Sequence, residues 1–226
     1  MVTRTSPVHV YDRPRPVLTT DVVIFTLEQQ GLQVLLTRRQ DAYHDRGWAL
    51  PGGPVAVHED LEHRAQRELR SRTGLEGIYL EQLYTFGQPE RDPRERIITV
   101  AYFALLPSDR LVPVADDAPD AWFAVDALPP LPMDQGEIIA VARERLAGKL
   151  AYSTIAFQLL PGEFTLGDLQ EVYEAVLRER QDKRNFRKWA LGLGRIEATG
   201  RERRNGAHRP ARLYRVREPR AVEIIK

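Results

Sequence analysis

The chain has 226 residues, enough for one large domain or two small ones, and its 42% hydrophobic content is ordinary for a globular protein. It carries no cysteine, which excludes disulfides and thiolate metal sites, and no run of 18 apolar residues, which excludes a membrane-spanning helix. The formal net charge of +1 hides a division: residues 1–150 hold 17 Lys and Arg against 22 Asp and Glu, whereas residues 151–226 hold 16 against 10. An acidic first part and a basic tail point to different partners, with a polyanion the natural one for the tail. The first twenty residues lack the apolar core of a signal peptide, so a cytoplasmic location is expected.

In chain order, residues 1–18 read as an extended lead-in containing Pro7, Pro14 and Pro16. Asp21–Leu27 and Gln33–Thr37 are rich in β-branched and apolar residues and predict a strand pair turning at Gln30-Gly31. Asp41–Gly47 is a polar loop. Trp48–Gly53 predicts a short strand ending in glycines, which let backbone N–H groups approach a ligand. A helix is expected over Glu59–Arg72, capped by Gly74. Strands follow near Ile78–Phe86 and Ile97–Leu106, separated by the polar loop Gln88–Glu95, then a short strand at Ala121–Val125. Ile138, Ile139, Ala142 and Leu146 fall at helical spacing and predict a closing helix over Asp134–Leu146.

One segment in this series carries chemistry. Gly53, five residues, Glu59, seven residues, Arg67-Glu68-Leu69, then Ser71-Arg72 and Gly74-Leu75 resembles the Nudix box, G-x5-E-x7-R-E-U-x-E-E-x-G-U with U apolar. Spacing and identity agree except at 71 and 72, where the family has Glu-Glu. Positions 68, 71 and 72 share one helical face, and three carboxylates there suit Mg²⁺ or Mn²⁺ held against a pyrophosphate. Here Glu68 keeps one carboxylate, Ser71 offers a hydroxyl, and Arg72 places a permanent cation at a ligand position. Arg72 can pair with Glu68 or with a ligand phosphate. The expectation is a pyrophosphate-binding cleft with no catalytic residues and no bound metal. The alternative is a weaker metal site built from Glu59, Glu68 and a carboxylate from elsewhere.

The break at Pro161-Gly162 after the Lys149–Leu160 stretch divides the chain near 150, giving an effector-binding domain over 1–149 and a DNA-binding domain over 150–226. Thr165 offers an N-cap to a helix carrying Leu169, Val172, Tyr173, Val176 and Leu177 at helical spacing. Asp182 caps a second helix, Lys183–Leu193, whose buried stripe is expected to be Phe186, Trp189, Ala190 and Leu193, with Gly194 ending it. Lys183, Arg184, Arg187 and Lys188 are left on the outer side, with Asn185 able to read a base edge. Arg195–Thr199 and Ala211–Val216 predict two strands joined by an arginine-rich tip holding Arg201, Arg203, Arg204 and Arg209. Helix, turn, basic helix and basic hairpin is the geometry of a winged helix-turn-helix. Double-stranded DNA is therefore the expected partner, with Arg212 completing the basic set.

Both halves together resemble the Nudix-related transcriptional regulators of NAD metabolism, the NrtR-like proteins. The likeness includes residues 80–105, 156–177, 182–194 and 203–215. It implies an α/β (α+β) fold class: a Nudix α/β/α sandwich followed by a C-terminal winged helix-turn-helix. It further implies a homodimeric bacterial repressor on palindromic operator DNA, released by ADP-ribose or a related nucleotide acting as effector, with no cofactor required. Candidate effector contacts are Arg38, Trp48, Gly52, Gly53, Glu68 and Arg72 around the box. Phe86, Arg91 and Arg96 follow from the aromatic-and-arginine stretch after it. The rival readings are an active ADP-ribose or NAD(H) pyrophosphatase with a nucleic-acid-binding tail, and a Nudix-type regulator of sugar use with another effector.

Overall fold

The structure, a computed structural model, describes residues 12–28, 31–38, 47–111, 118–204, 210–218 and 222–225. The expected lead-in up to position 11, the polar loop at 41–46, and the hairpin tip at 205–209 with Arg209 lie outside the described residues.

Strands β1 (Val17–Glu28) and β2 (Gly31–Arg38) pair as an antiparallel hairpin with Glu28 opposite Gly31. At its open end β3 (Trp48–Ala49) pairs with the last residues of β2, and β4 (Gly52–Pro54) with the first part of β1. The single strand expected over 48–53 is thus two, interrupted at Leu50-Pro51. Pro51 has no N–H to give a ladder, and its carbonyl instead accepts the Val22 N–H at 2.8 Å. Strand β5 (Tyr79–Phe86) runs antiparallel to β6 (Ile97–Leu106), β6 parallel to β1, and β7 (Asp120–Ala124) antiparallel to β2.

Successive side chains of a strand face opposite sides, so covering both faces buries every residue. Val22, Val23, Ile24 and Phe25 are all fully buried for that reason. Val22, Ile24, Val100 and Tyr102 meet Ala65 and Leu69 of helix α1 (Leu61–Thr73). Val23, Phe25, Ala101 and Phe103 meet Ile138, Ile139, Ala142 and Leu146 of helix α2 (Gln135–Leu150). This is the expected α/β/α sandwich. Helix α2 runs a turn beyond the expected end because burial of Leu150 outweighs the weak helix preference of Gly148.

A 3-10 turn at Ile155–Leu159 leads to α3 (Leu166–Leu177), α4 (Lys183–Gly192) and the hairpin β8 (Ile196–Arg203) and β9 (Ala211–Val216). Thr165 and Asp168 cap α3 reciprocally, and Asp182 accepts the Asn185 N–H at the start of α4. Phe164 bridges Tyr214, which ties the entry to α3 against the base of the hairpin. Strand β8 extends four residues past the expected Thr199, with Gly200 at φ +79° and a register shift between Ala198 and Glu202.

The expected stripe of α4 needs correction. Phe186 and Ala190 are buried, but Trp189 is 38% exposed, and Leu193 lies past the helix end and is half-buried. Trp189 instead rests edge-on against Tyr173 at 5.1 Å between ring centroids. The short helix turns only two residues fully inward, and the bulky ring covers its neighbour from the side.

Apolar packing is continuous from the α2 face of the sheet through Ile155, Leu159 and Phe164 to Leu169, Val172, Phe186 and Ala190. The expected division at 149/150 falls in the last turn of α2, where Tyr173 Oη donates to the Leu150 carbonyl at 3.4 Å. The segment 222–225 adds a strap. Glu223 exchanges hydrogen bonds with Thr154 and pairs with Arg195 at 2.6 Å.

Candidate functional site

The box helix starts at Asp60, whose carboxylate accepts the Glu62 and His63 N–H groups, and ends at Gly74 with φ +68°. Ahead of it, Glu59 takes Arg67 in two hydrogen bonds of 2.7 and 2.9 Å, stapling the loop onto the helix. The Arg67 contact holds the Glu59 carboxyl below its usual range. This acid therefore works as a brace.

Glu68 is buried between two guanidiniums. Arg64 Nη1 reaches one oxygen at 2.7 Å and Arg72 Nε the other at 2.9 Å. Arg72 Nη1 goes on to Asp120 Oδ1 at 3.1 Å and Thr37 Oγ1 at 3.0 Å. Ser71 turns away and donates to the Glu68 carbonyl of its own helix. The charge that a divalent cation would supply between two carboxylates is supplied by an arginine side chain. The donor set does not fit Mg²⁺ or Mn²⁺: both oxygens of Glu68 are occupied by cations. Among the described residues no group of three His, Asp or Glu converges to hold a metal ion.

Packing accounts for both glycines. A Cβ at Gly52 would sit 2.3 Å from the Thr20 carbonyl oxygen, and one at Gly53 would meet the Arg64 guanidinium at 2.8 Å. Gly53 also has φ +147°. Close approach is required here, but of β4 onto β1 and Arg64. Nearby, the Arg38 guanidinium lies 5.1 Å from the Trp48 ring centroid, and Trp48 meets Phe123 edge-on.

Trp48 and Phe123 pack against the α2-side core, and the cleft on that side carries further expected contacts. A cleft of about 980 Å³ opens between Gln88–Arg91 and Leu128–Glu137, large enough for a nucleotide-sized ligand. Arg91 forms part of its lining and is held by Asp134 at 2.5 Å and Asp21 at 3.9 Å. Burial works against the Arg91 cation, but these carboxylates raise its pKa overall. Arg94 pairs with Asp92, and Arg96 donates to the Gly87 and Gln88 carbonyls, shaping the loop. Phe86 is buried, while Tyr84, which packs edge-on against it, is exposed. Of the nine expected contacts, Glu68 and Arg72 lie on the α1 side of the sheet, whereas Arg38–Trp48, Phe86 and Arg91 lie on the α2 side; Gly52 and Gly53 are on β4, and Arg96 stands just before β6. Asp21, against Gly52, faces Arg91.

Lys183, Arg184, Asn185, Arg187 and Lys188 are all exposed on α4. The turn before them is fixed: Glu174 accepts the Gln181 N–H at 2.8 Å, and Gln170 donates to the Gln181 carbonyl at 3.0 Å. Arg204 and Arg212 are exposed on the hairpin. Arg201 pairs with Glu163, and Arg203 reaches back to Asp168 at 2.5 Å. Arg203 therefore fastens the hairpin to the start of α3 while its side chain stays partly exposed.

Sequence reasoning missed Asp120 and Thr37, which are 48 and 35 positions from Arg72 and carry no local signal. It also missed Arg64, although its place four residues before Glu68 was a readable clue. Asp126, Arg143 and Arg178, which join the two halves, gave no pattern at all.

A NUDIX domain model matches residues 17–143, and a model of the NrtR DNA-binding winged helix domain matches residues 156–216. The chain is 35% identical over 209 residues to the ADPR responsive transcriptional repressor NtrR of Acinetobacter baylyi, covering 90% of this chain and 83% of that protein. It is similar to the crystal structure of Shewanella oneidensis NrtR complexed with a 27mer DNA, at 34% identity and a TM-score of 0.80, over 88% of this chain and 93% of that one. The NUDIX domain of the same Shewanella protein, complexed with ADP ribose, is 36% identical with a TM-score of 0.52, covering 60% of this chain and 94% of that one.

Proposed function

The chain belongs to the NrtR family, in which a Nudix domain is joined to a winged helix domain, and from that premise we propose a transcriptional repressor released from DNA by ADP-ribose or a related nucleotide. The observation that carries the reading is the likeness along nearly the whole chain to a regulator whose structures hold DNA and ADP ribose. Residues 1–149 form the effector unit and 150–226 the DNA-binding unit. Exposed Lys183, Arg184, Arg187 and Lys188 make the phosphate contacts that position α4, and Asn185 reads a base edge. Arg204 and Arg212 contact the backbone beside it, with Arg209 at the hairpin tip. Two chains related by a two-fold axis read a palindromic operator, with half-sites about 34–36 Å or a multiple apart.

The effector domain binds and does not cleave. Hydrolysis in a Nudix cleft needs carboxylates to hold a divalent cation that activates water. Here Arg64 and Arg72 occupy Glu68, the one carboxylate left at positions 68, 71 and 72, Arg72 takes Asp120 as well, and Glu59 is paired with Arg67. The diphosphate of an effector meets the outer edge of Arg72 on the α1 side, while Arg38, Trp48 and Phe123 form an aromatic-and-cation wall on the opposite, α2 face of the sheet. Genes of NAD synthesis or salvage are the targets this reading assigns.

The test is a titration of the full chain against the duplex immediately upstream of its own coding sequence, with and without ADP-ribose. Tight binding that weakens at least fivefold with ADP-ribose is the expected result. A parallel incubation with ADP-ribose and Mg²⁺ or Mn²⁺ is expected to yield no AMP. Turnover near one per second, an ordinary enzymatic rate, together with no preference for the upstream duplex, would establish a pyrophosphatase instead.

A further inference from the structure

One acidic side chain stands where the two halves of the molecule are tied together. Strand β7 begins at Asp120, which holds Arg72 at 3.1 Å, and pairs with β2 along its whole length. The Val125 N–H continues the ladder to the Leu32 carbonyl. Asp126 follows, and two residues later Leu128 lines the large cleft. Both parts of the effector region therefore flank Asp126 in the chain.

Asp126 Oδ1 accepts Arg143 Nη1 at 3.2 Å and is also paired with Arg178. Arg143, on α2, turns its other terminal nitrogen to the Val176 carbonyl at 3.2 Å, in the last turn of α3. That carbonyl is one of those a helix end leaves without an intrahelical partner. Arg178 is the C-terminal cap of α3 and has φ +58°. Glycine is the usual residue for a left-handed cap, and an arginine persists there only where its surroundings fix it. The Arg178 guanidinium pairs with Asp126, both side chains being more than half exposed. Four residues on, Asp182 caps α4, and Gln170 and Glu174 hold the intervening turn to α3.

We propose that Asp126 is the positioning residue through which occupancy of the effector cleft reaches the DNA-reading helix. It acts by gripping Arg143 and Arg178 at the C-terminal end of α3. A ligand that draws on Arg72 or displaces Leu128 moves the segment carrying Asp126. The end of α3 and the start of α4 follow, because each is hydrogen-bonded to the next. This rests on the repressor reading above and goes beyond it by naming the link.

The experiment measures the coupling factor, the ratio of Kd for the upstream duplex with saturating ADP-ribose to that without it. The unsubstituted chain, Asp126→Asn, Asp126→Glu and Arg178→Gly are compared. Arg178→Gly removes the guanidinium while placing at φ +58° the residue that favours it, so its Tm is expected to hold. Asp126→Asn and Arg178→Gly are each expected to lower the coupling factor to below about threefold from the typical 5–150-fold. Each should leave ADP-ribose affinity alone and DNA affinity alone within about threefold of the unsubstituted chain. Combining the two should bring no further loss. Asp126→Glu is expected to retain part of the coupling. Coupling unchanged in Asp126→Asn and Arg178→Gly, whatever happens to their Tm, would overturn the assignment. If the unsubstituted chain shows no ADP-ribose effect on DNA binding, the repressor reading itself fails, and the link fails with it.

Discussion

Replacing Arg72 tests whether a side chain does the work of a metal ion. Its guanidinium joins Glu68 and Asp120, whose side chains are 8% and 15% exposed, and is itself 27% exposed. Breaking a buried ion pair by removing one partner costs about 3–5 kcal/mol. Glu68 keeps Arg64, so Arg72→Ala belongs below that range, at about 2–3 kcal/mol. For a chain of this length each kcal/mol lowers Tm by about 2–4 °C, which gives a fall of about 4–12 °C. Arg72→Glu goes further, since like charges about 4 Å apart repel by about 4 kcal/mol at a near-surface effective dielectric. It also completes a carboxylate set with Glu68 and Asp120. Thermal unfolding should therefore show a larger loss in EDTA, partly reversed by MnCl₂. Metal at about a hundred times its Kd returns about 2.7 kcal/mol. The unsubstituted protein should be indifferent to Mn²⁺ at the same concentrations. If Arg72→Glu melts within about 2 °C of the unsubstituted protein in EDTA, or Mn²⁺ raises both equally, the guanidinium is not the internal cation.

Arg187→Ala and Lys188→Ala should each weaken binding to the upstream duplex and reduce the slope of log K against log salt by about one, leaving ADP-ribose affinity unchanged; an unaltered slope refutes the phosphate contact. Arg203→Ala should lower Tm by about 2–4 °C and weaken DNA binding through misplacement of the hairpin, and a variant with full stability and a loss of DNA affinity would return Arg203 to the contact surface. Gly52→Ala should destabilise by about 1–3 kcal/mol by driving a methyl into the Thr20 carbonyl, measured by denaturant midpoint; a change within about 0.5 kcal/mol would show that β4 can step away. Glu81 gives a pH signature. Burial alone would raise its carboxyl, but hydrogen bonds from Lys149, Tyr79 and Arg145 bring it below the ordinary 4.5 in the folded state. A depressed folded pKa contributes stability that is present above the unfolded value and lost as pH falls through the folded one. Glu81→Gln should therefore flatten the acid limb of stability below about pH 4.5, and an unchanged acid limb would assign that loss to other carboxylates.

The sequence by itself determined what is local. Apolar runs, cap residues and helical spacing placed both Nudix-face helices, the N-cap at Thr165, and the exposed basic residues of α4, because each depends on neighbours within a turn or two. The box was readable as a frame with Ser71 and Arg72 in place of two carboxylates for the same reason. Tertiary structure alone decided what Arg72 does, since Asp120 and Thr37 come to it from strands with no periodic relation to α1. It decided that Arg203 pairs with Asp168, that Trp189 rests on Tyr173, and that α2 continues to Leu150 beneath both halves. Burial and ion pairing are properties of converging segments, and the patterns along a chain record only which face each segment turns inward, not which charged group will meet it there.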